Sequence, residues 1–309
     1  MNLDVIINET FARATTADAS LNHRSQERVL ALINDFEDGA WRHKRFHDLI
    51  WNNLSQTSLS ARERESIIDQ DFSKLRQAAM NLRLTDNEND PGKGSEIAEV
   101  LLYAIMRSHY KALPVVPKIY YKQNRNDNAK GADSVHIVIA DDGADFSLWL
   151  GESKFYSDIG DARLDKVVQS VLEMLNSEKI RKENSIIMGL TDLGDLIGEG
   201  PLLDKIRIAL DKDRSIDSLK PRLHIPILLL HQCEVTKKAT VMTPEYREAL
   251  TDGLRERASV YFEKQAKKIG AIIGYKDIKF HLIAFPVPDK KKIVNDFTAF
   301  ANIMRGYGS

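Results

Sequence analysis

A single cysteine, Cys233, in 309 residues excludes an intramolecular disulfide and any multi-cysteine zinc site, and fits a reducing compartment. Long hydrophobic runs are also missing: the longest apolar stretch, near residues 225–230, is strand-sized, far short of the roughly 20 residues of a membrane helix. The opening residues MNLDVIINET have neither the basic n-region nor the apolar h-region of a signal peptide, so a soluble cytoplasmic protein is expected. Excess positive charge is lacking too, since 44 Lys and Arg stand against 45 Asp and Glu for a formal net charge of −1. A generally basic nucleic-acid coat is thereby excluded, and any contact with nucleic acid must be local.

What is present begins with helical periodicity. Residues 24–82 read as helices, with stripes at Val29, Leu32, Ile33 and Phe36 and at Phe46, Leu49, Ile50 and Leu54. A third helix is announced by the capping-box pattern of Ser60 and Glu63 and carries Ile68, Phe72, Leu75, Ala79 and Leu82 on one side. The polar segment TDNENDPGKG, residues 85–94, marks a linker between a helical N-terminal subdomain (1–84) and the remainder (95–309). Its Gly92-Lys93 is not a phosphate-binding loop, because the glycine five residues before Gly92 and the Ser or Thr after the lysine are both absent.

A helix capped by Ser95 has its core stripe at Ile97, Val100, Leu101, Ala104 and Ile105 and places Glu96, Glu99 and Tyr103 on the other side, either solvated or turned toward a site. Residues 118–122 alternate as a short strand. The cations Lys111, Lys118, Lys122, Arg125 and Lys130, opposed only by Asp127, form either a solvated face or a local basic approach. Further on, residues 164–175 form an amphipathic helix and 185–190 a short strand. A helix at 202–210, a strand at 223–230, a helix opened by Thr243-Pro244, a strand at 280–285 and a helix from Lys290 complete the chain. Pro226 argues that its strand is an edge or carries a bulge.

The chemistry concentrates between Lys130 and Phe155. Two apolar strands, 135–140 and 147–154, are joined by the turn DDGAD, which predicts an antiparallel hairpin with Asp133 and Glu152 at matching ends. Strand alternation puts Leu148, Leu150, Glu152 and Lys154 on one face, with the Cα atoms of Glu152 and Lys154 about 6 to 7 Å apart. Two carboxylates can hold a hard divalent cation, Mg²⁺ or Mn²⁺, and a lysine beside it can stabilise the charge that builds up on a phosphate under attack. His136 reads as a lone strand histidine, Trp149 as core, and His224 and His231 as lying on opposite strand faces rather than forming a metal pair.

An acid on a first helix, Asp133, then Glu152-x-Lys154, then a helix and a strand resembles the order of the PD-(D/E)XK nuclease superfamily, although Gly131-Ala132 stand where the proline would be. The wording of residues 99–103 (EVLLY), 118–123 (KIYYKQ), 130–136 (KGADSVH) and 148–156 (LWLGESKFY) is more closely similar to HamA, the nuclease subunit of the Hachiman anti-phage defence system. The resemblance implies an α/β fold, a PD-(D/E)XK nuclease-like mixed central sheet flanked by helices. It further implies a DNA-degrading enzyme that works with a helicase, with catalytic Asp133, Glu152, Lys154 and Glu99, the three acids also being metal ligands. On this reading Lys118, Lys122, Arg125, Lys130 and Gln169 are the DNA-contacting candidates, and the Ser153 carbonyl is a further metal contact. The competing readings are a catalytically silent module that binds DNA or anchors a helicase, and a small-phosphoester hydrolase.

Overall fold

In the computed structural model, which describes residues 3–11, 27–84, 94–121, 131–189 and 193–306, the hairpin is part of a seven-stranded sheet. The chain begins with β1 (Asp4–Phe11), β2 (Glu27–Ile33), and a small hairpin of β3 (Phe36–Glu37) and β4 (Ala40–Trp41). Helices α1 (His43–Ser58), α2 (Ala61–Ser66), α3 (Asp71–Met80) and α4 (Ser95–Ser108) follow, then β5 (Leu113–Val116), α5 (Lys118–Tyr121), β6 (Ser134–Ile139) and β7 (Phe146–Tyr156). Helices α6 (Asp161–Met174), α7 (Ser177–Met188), α8 (Leu193–Ile197) and α9 (Pro201–Leu210) lead to β8 (Leu223–Gln232). The chain ends with α10 (Glu234–Lys238), α11 (Pro244–Ile269), β9 (Lys279–Val287) and α12 (Lys290–Gly306).

The strand order is β1-β2-β9-β8-β7-β6-β5, parallel from β2 to β7 and antiparallel at both margins. Both faces are covered, and the apolar residues divide between them by strand alternation. Val29, Ala31, Leu148, Leu150, Ile227 and Leu229 pack with α6, α7, α9 and α11, whereas Leu30, Leu32, Trp149, Phe155, Leu228 and Leu230 pack with α1, α4 and α12. The mixed α/β architecture flanked by helices is therefore as expected.

Several elements differ from the sequence expectation. Residues 27–33 form a strand, not a helix: Val29 to Ile33 are buried in succession because β2 lies inside the sheet with apolar layers on both sides, a run that periodicity cannot separate from a helix. The N-terminal third is consequently not a helical unit of its own, since β1 and β2 belong to the common sheet. The 85–94 linker falls outside the described residues up to 93. Ser60 and Glu63 do make the reciprocal capping box, but that helix ends at Ser66, leaving Ile68 and Phe72 exposed rather than inward.

Residues 118–121 form a helical turn and 185–188 belong to α7, while the third strand of the expected group lies earlier, at β5. Pro114 is tolerated there because β5 is an edge. Pro226 instead sits in β8, between β7 and β9, where the ladder to β7 is interrupted beside Gly151. A Cβ on Gly151 would approach the Pro226 ring to 3.4 Å and Leu102 to 2.8 Å, so the missing side chain admits both the proline and α4.

Candidate active site

Strand β7 turns Glu152 and Lys154 onto the face covered by α6 and α11, opposite Ile227 and Leu229 of β8. Their side chains form a close ion pair in which Glu152 is buried and the Lys154 side chain is 29% exposed. Burial disfavours the Lys154 cation, but the Glu152 and Asp133 carboxylates and the hydrogen bond to Glu152 outweigh it and hold its pKa above the ordinary lysine value. Lys154 is thus charged at neutral pH and feels both acids at once.

Asp133 arrives from the neighbouring strand. Ser134 pairs with Gly151, the Asp133 N–H donates to the Gly151 carbonyl at 2.7 Å, and the Asp133 carboxylate accepts from the Ser153 N–H at 2.9 Å and the Ser153 hydroxyl at 3.2 Å. The carboxylate therefore takes the place of a ladder acceptor at the start of β6, which fixes it against the Glu-x-Lys strand. The sequence-expected hairpin and its matched ends are both present.

What pins the approach to Asp133 is a residue that no motif marked. Glu183 of α7 is buried and accepts from the Lys118 ammonium at 2.6 and 2.7 Å and from the Ala132 N–H at 3.0 Å. A Cβ on Gly131 would lie 1.8 Å from the Glu183 carboxylate, so glycine is needed for the turn to pass. The available signal was the inward stripe Ile180, Glu183, Asn184, Ile187, cut short when residues 185–190 are read as a strand.

Helix α4 lies on the other face of the sheet and runs antiparallel to β7, with Gly94 against Phe155, Leu102 against Gly151 and the Tyr110 ring 4.7 Å from Trp149. Glu99 and Tyr103 are buried, not solvated. The Tyr103 ring lies 5.6 Å from that of His136, and Glu99, one turn earlier, comes level with the start of β6. Glu96 is used elsewhere, accepting from the Arg83 N–H at 2.8 Å. Among the described residues no three Asp, Glu, His or Cys side chains converge closely enough for one metal ion.

Of the expected DNA-contacting residues, Lys118 is withdrawn: its ammonium is buried against Glu183. Lys122, Arg125 and Lys130 lie outside the described residues. Gln169 donates to Glu173 at 3.1 Å along the surface of α6. His136 is fully buried and its pKa is lowered to about 3 by burial, which keeps it neutral. His231 is likewise buried, its pKa lowered to about 4, while His224 faces His281 with ring nitrogens 3.0 Å apart. Trp149 is core, its indole N–H donating to Ser147 at 2.8 Å.

The donor chemistry fits a hard cation: two carboxylates on adjoining strands, near the backbone of Ser153, are as many protein acids as Mg²⁺ requires when waters and phosphate oxygens fill its shell. No helix among the described residues is long and apolar enough to cross a membrane. Compared with known protein families, residues 6–301 match the family model described as HamA. No curated protein matches the chain.

Proposed function

We propose, starting from a chain that belongs to the HamA family, the Hachiman defence subunit, that this protein is a metal-dependent nuclease hydrolysing DNA phosphodiester bonds beside a helicase partner. The observation that carries this reading is the buried Glu152 carboxylate paired with the partly exposed Lys154, with Asp133 fixed against the same strand.

Asp133 and Glu152 are the residues that would hold the metal. Mg²⁺, when bound, screens the negative phosphate and lowers the pKa of a water. Lys154, whose side chain is partly exposed, can donate to a phosphate oxygen as negative charge accumulates during attack. In the hydrolysis a water oxygen bonds to phosphorus, one ester P–O bond breaks, and the departing oxygen gains a proton.

The test is DNA integrity with the purified chain, its helicase partner and Mg²⁺. Glu152→Gln and Lys154→Ala are each expected to slow degradation by about 10² or more, with unchanged circular dichroism. Intact DNA with the unaltered protein, or undiminished cleavage by both variants, overturns the reading. Salt-dependent binding without cleavage, with defence surviving Glu152→Gln, would instead identify a silent DNA-binding module.

A further inference from the structure

Beyond the Glu152–Lys154 ion pair, β7 continues to Tyr156, on the same face as these two residues and half-buried. The guanidinium of Arg163, from the first turns of α6, lies over the Tyr156 ring, 5.2 Å from its centroid. From the other face of the sheet, Lys290 at the start of α12 donates to the Phe155 carbonyl at 2.7 Å and lies 5.2 Å from the centroid of the Phe155 ring. Two half-buried cations thus straddle the end of β7, about two strand residues beyond Lys154.

Among the described residues neither cation has a carboxylate partner within ion-pair distance, although acids are close by in sequence. Asp161 and Asp165 of α6 are taken by Arg257 and Lys264 of α11, at 3.1 and 2.9 Å. Asp158 accepts from the Gly160 N–H at 2.9 Å. Burial and the charge of Arg163 together hold the Lys290 pKa below the ordinary lysine value, the mark of two cations gathered without a counter-charge. Long cationic side chains on a free surface would separate. Here each is held by an aromatic ring, Arg163 by Tyr156 and Lys290 by Phe155, and these rings occupy consecutive positions on the strand that carries Glu152 and Lys154.

We infer that Arg163 and Lys290 form a phosphate clamp for the DNA strand, gripping a phosphodiester next to the one presented to Glu152 and Lys154. The inference rests on the nuclease reading for its substrate. It adds where the strand runs: off the end of β7, between α6 and α12. Arg163 offers a planar fork to phosphate oxygens and Lys290 a point charge, and both contacts are independent of base sequence.

The experiment is equilibrium binding of a fluorescein-labelled DNA duplex and of the matching single strand to the full chain, in EDTA so that no cleavage intervenes, across a salt series. Arg163→Ala and Lys290→Ala are each expected to weaken binding about tenfold. Each should also reduce the slope of log affinity against log salt by about 1, equally for unrelated sequences. Arg163→Lys should restore the slope, which loss of packing on Tyr156 would not allow, and melting temperatures report that each variant is folded. Unchanged affinity and slope in the Arg163→Ala/Lys290→Ala variant, or no salt-dependent binding by the unaltered chain, overturns the clamp. So does millimolar inorganic phosphate binding at these cations while the DNA slope stays unchanged, which would indicate a free-phosphate site. Failure of the clamp is distinguishable from failure of the nuclease reading, because the clamp is read from DNA binding in EDTA and the nuclease reading from DNA cleavage in Mg²⁺.

Discussion

The position of one carboxylate, Asp133, depends on a contact made 50 residues later in the chain. Glu183 holds the Ala132 N–H and the Lys118 ammonium, and Gly131 leaves room for its carboxylate. Gly131→Ala is expected to push the turn away from α7 and lower DNA cleavage by about 10², since displacements near 1 Å misalign reacting groups by that factor. Lys118→Met is expected to destabilise the protein by about 3 to 5 kcal/mol in urea unfolding, because Glu183 then keeps a buried charge without its cation. Replacing both partners, Lys118→Met with Glu183→Leu, should recover much of that stability but not the cleavage rate, since the Ala132 N–H still lacks its acceptor. Equal recovery of both would show that Glu183 serves the fold alone. Glu152, Lys154 and Asp133 were legible in the sequence because a two-residue period and a hairpin turn fix their relative places. Glu183, Arg163 and Lys290 were not, because each reaches the site from a different helix and nothing local marks the approach.

Among the elements, β2 shows why local pattern and final structure part company. Its run from Val29 to Ile33 satisfies a helical stripe, yet every residue in it is buried because apolar layers close on both sides. At its first residue β2 carries Glu27, buried and opposite Phe280, with a pKa pushed up to about 8 by burial. The unfolded chain releases this proton near the ordinary value of 4.5, whereas the folded chain keeps it to about 8. Between those values the native state binds the extra proton, so stability falls as pH rises, by about 1.4 kcal/mol per unit, and levels off on either side. Glu27→Gln is expected to flatten this decline and to raise the melting temperature at pH 8 more than at pH 5. Thermal unfolding from pH 5 to 9 checks it, and parallel curves for the two proteins would count against a neutral Glu27. Helix α4 offers the converse lesson. Its apolar stripe was correctly placed, but the burial of Glu99 and Tyr103 comes from β6 lying alongside, which no helical wheel contains.

At the scale of the whole molecule the polar segment at 85–94 looks like a boundary, yet the sheet is built across it. Strand β2 runs parallel to β9, and Phe46 and Leu54 of α1 share a core with Leu101 and Leu102 of α4 and Phe285 of β9. That pairing joins the two ends of the chain, a contact of long sequence separation that composition and periodicity have no means to express. A fragment beginning at residue 95 would leave β9 as an open edge and strip the cover from Ile283, Phe285 and α4. Such an edge, flanked by apolar surface, favours aggregation over folding. The fragment is therefore expected to bind hydrophobic dyes and to lack a cooperative unfolding transition, whereas the full chain should unfold in a single step by circular dichroism and by tryptophan fluorescence alike. A soluble 95–309 fragment with native near-ultraviolet dichroism and its own sharp transition would establish the first 84 residues as a separable domain after all. If instead the fragment fails, the Glu152–Lys154 pair depends on strands at both ends of the chain, because β7 is held in place through β8 and β9 by β2.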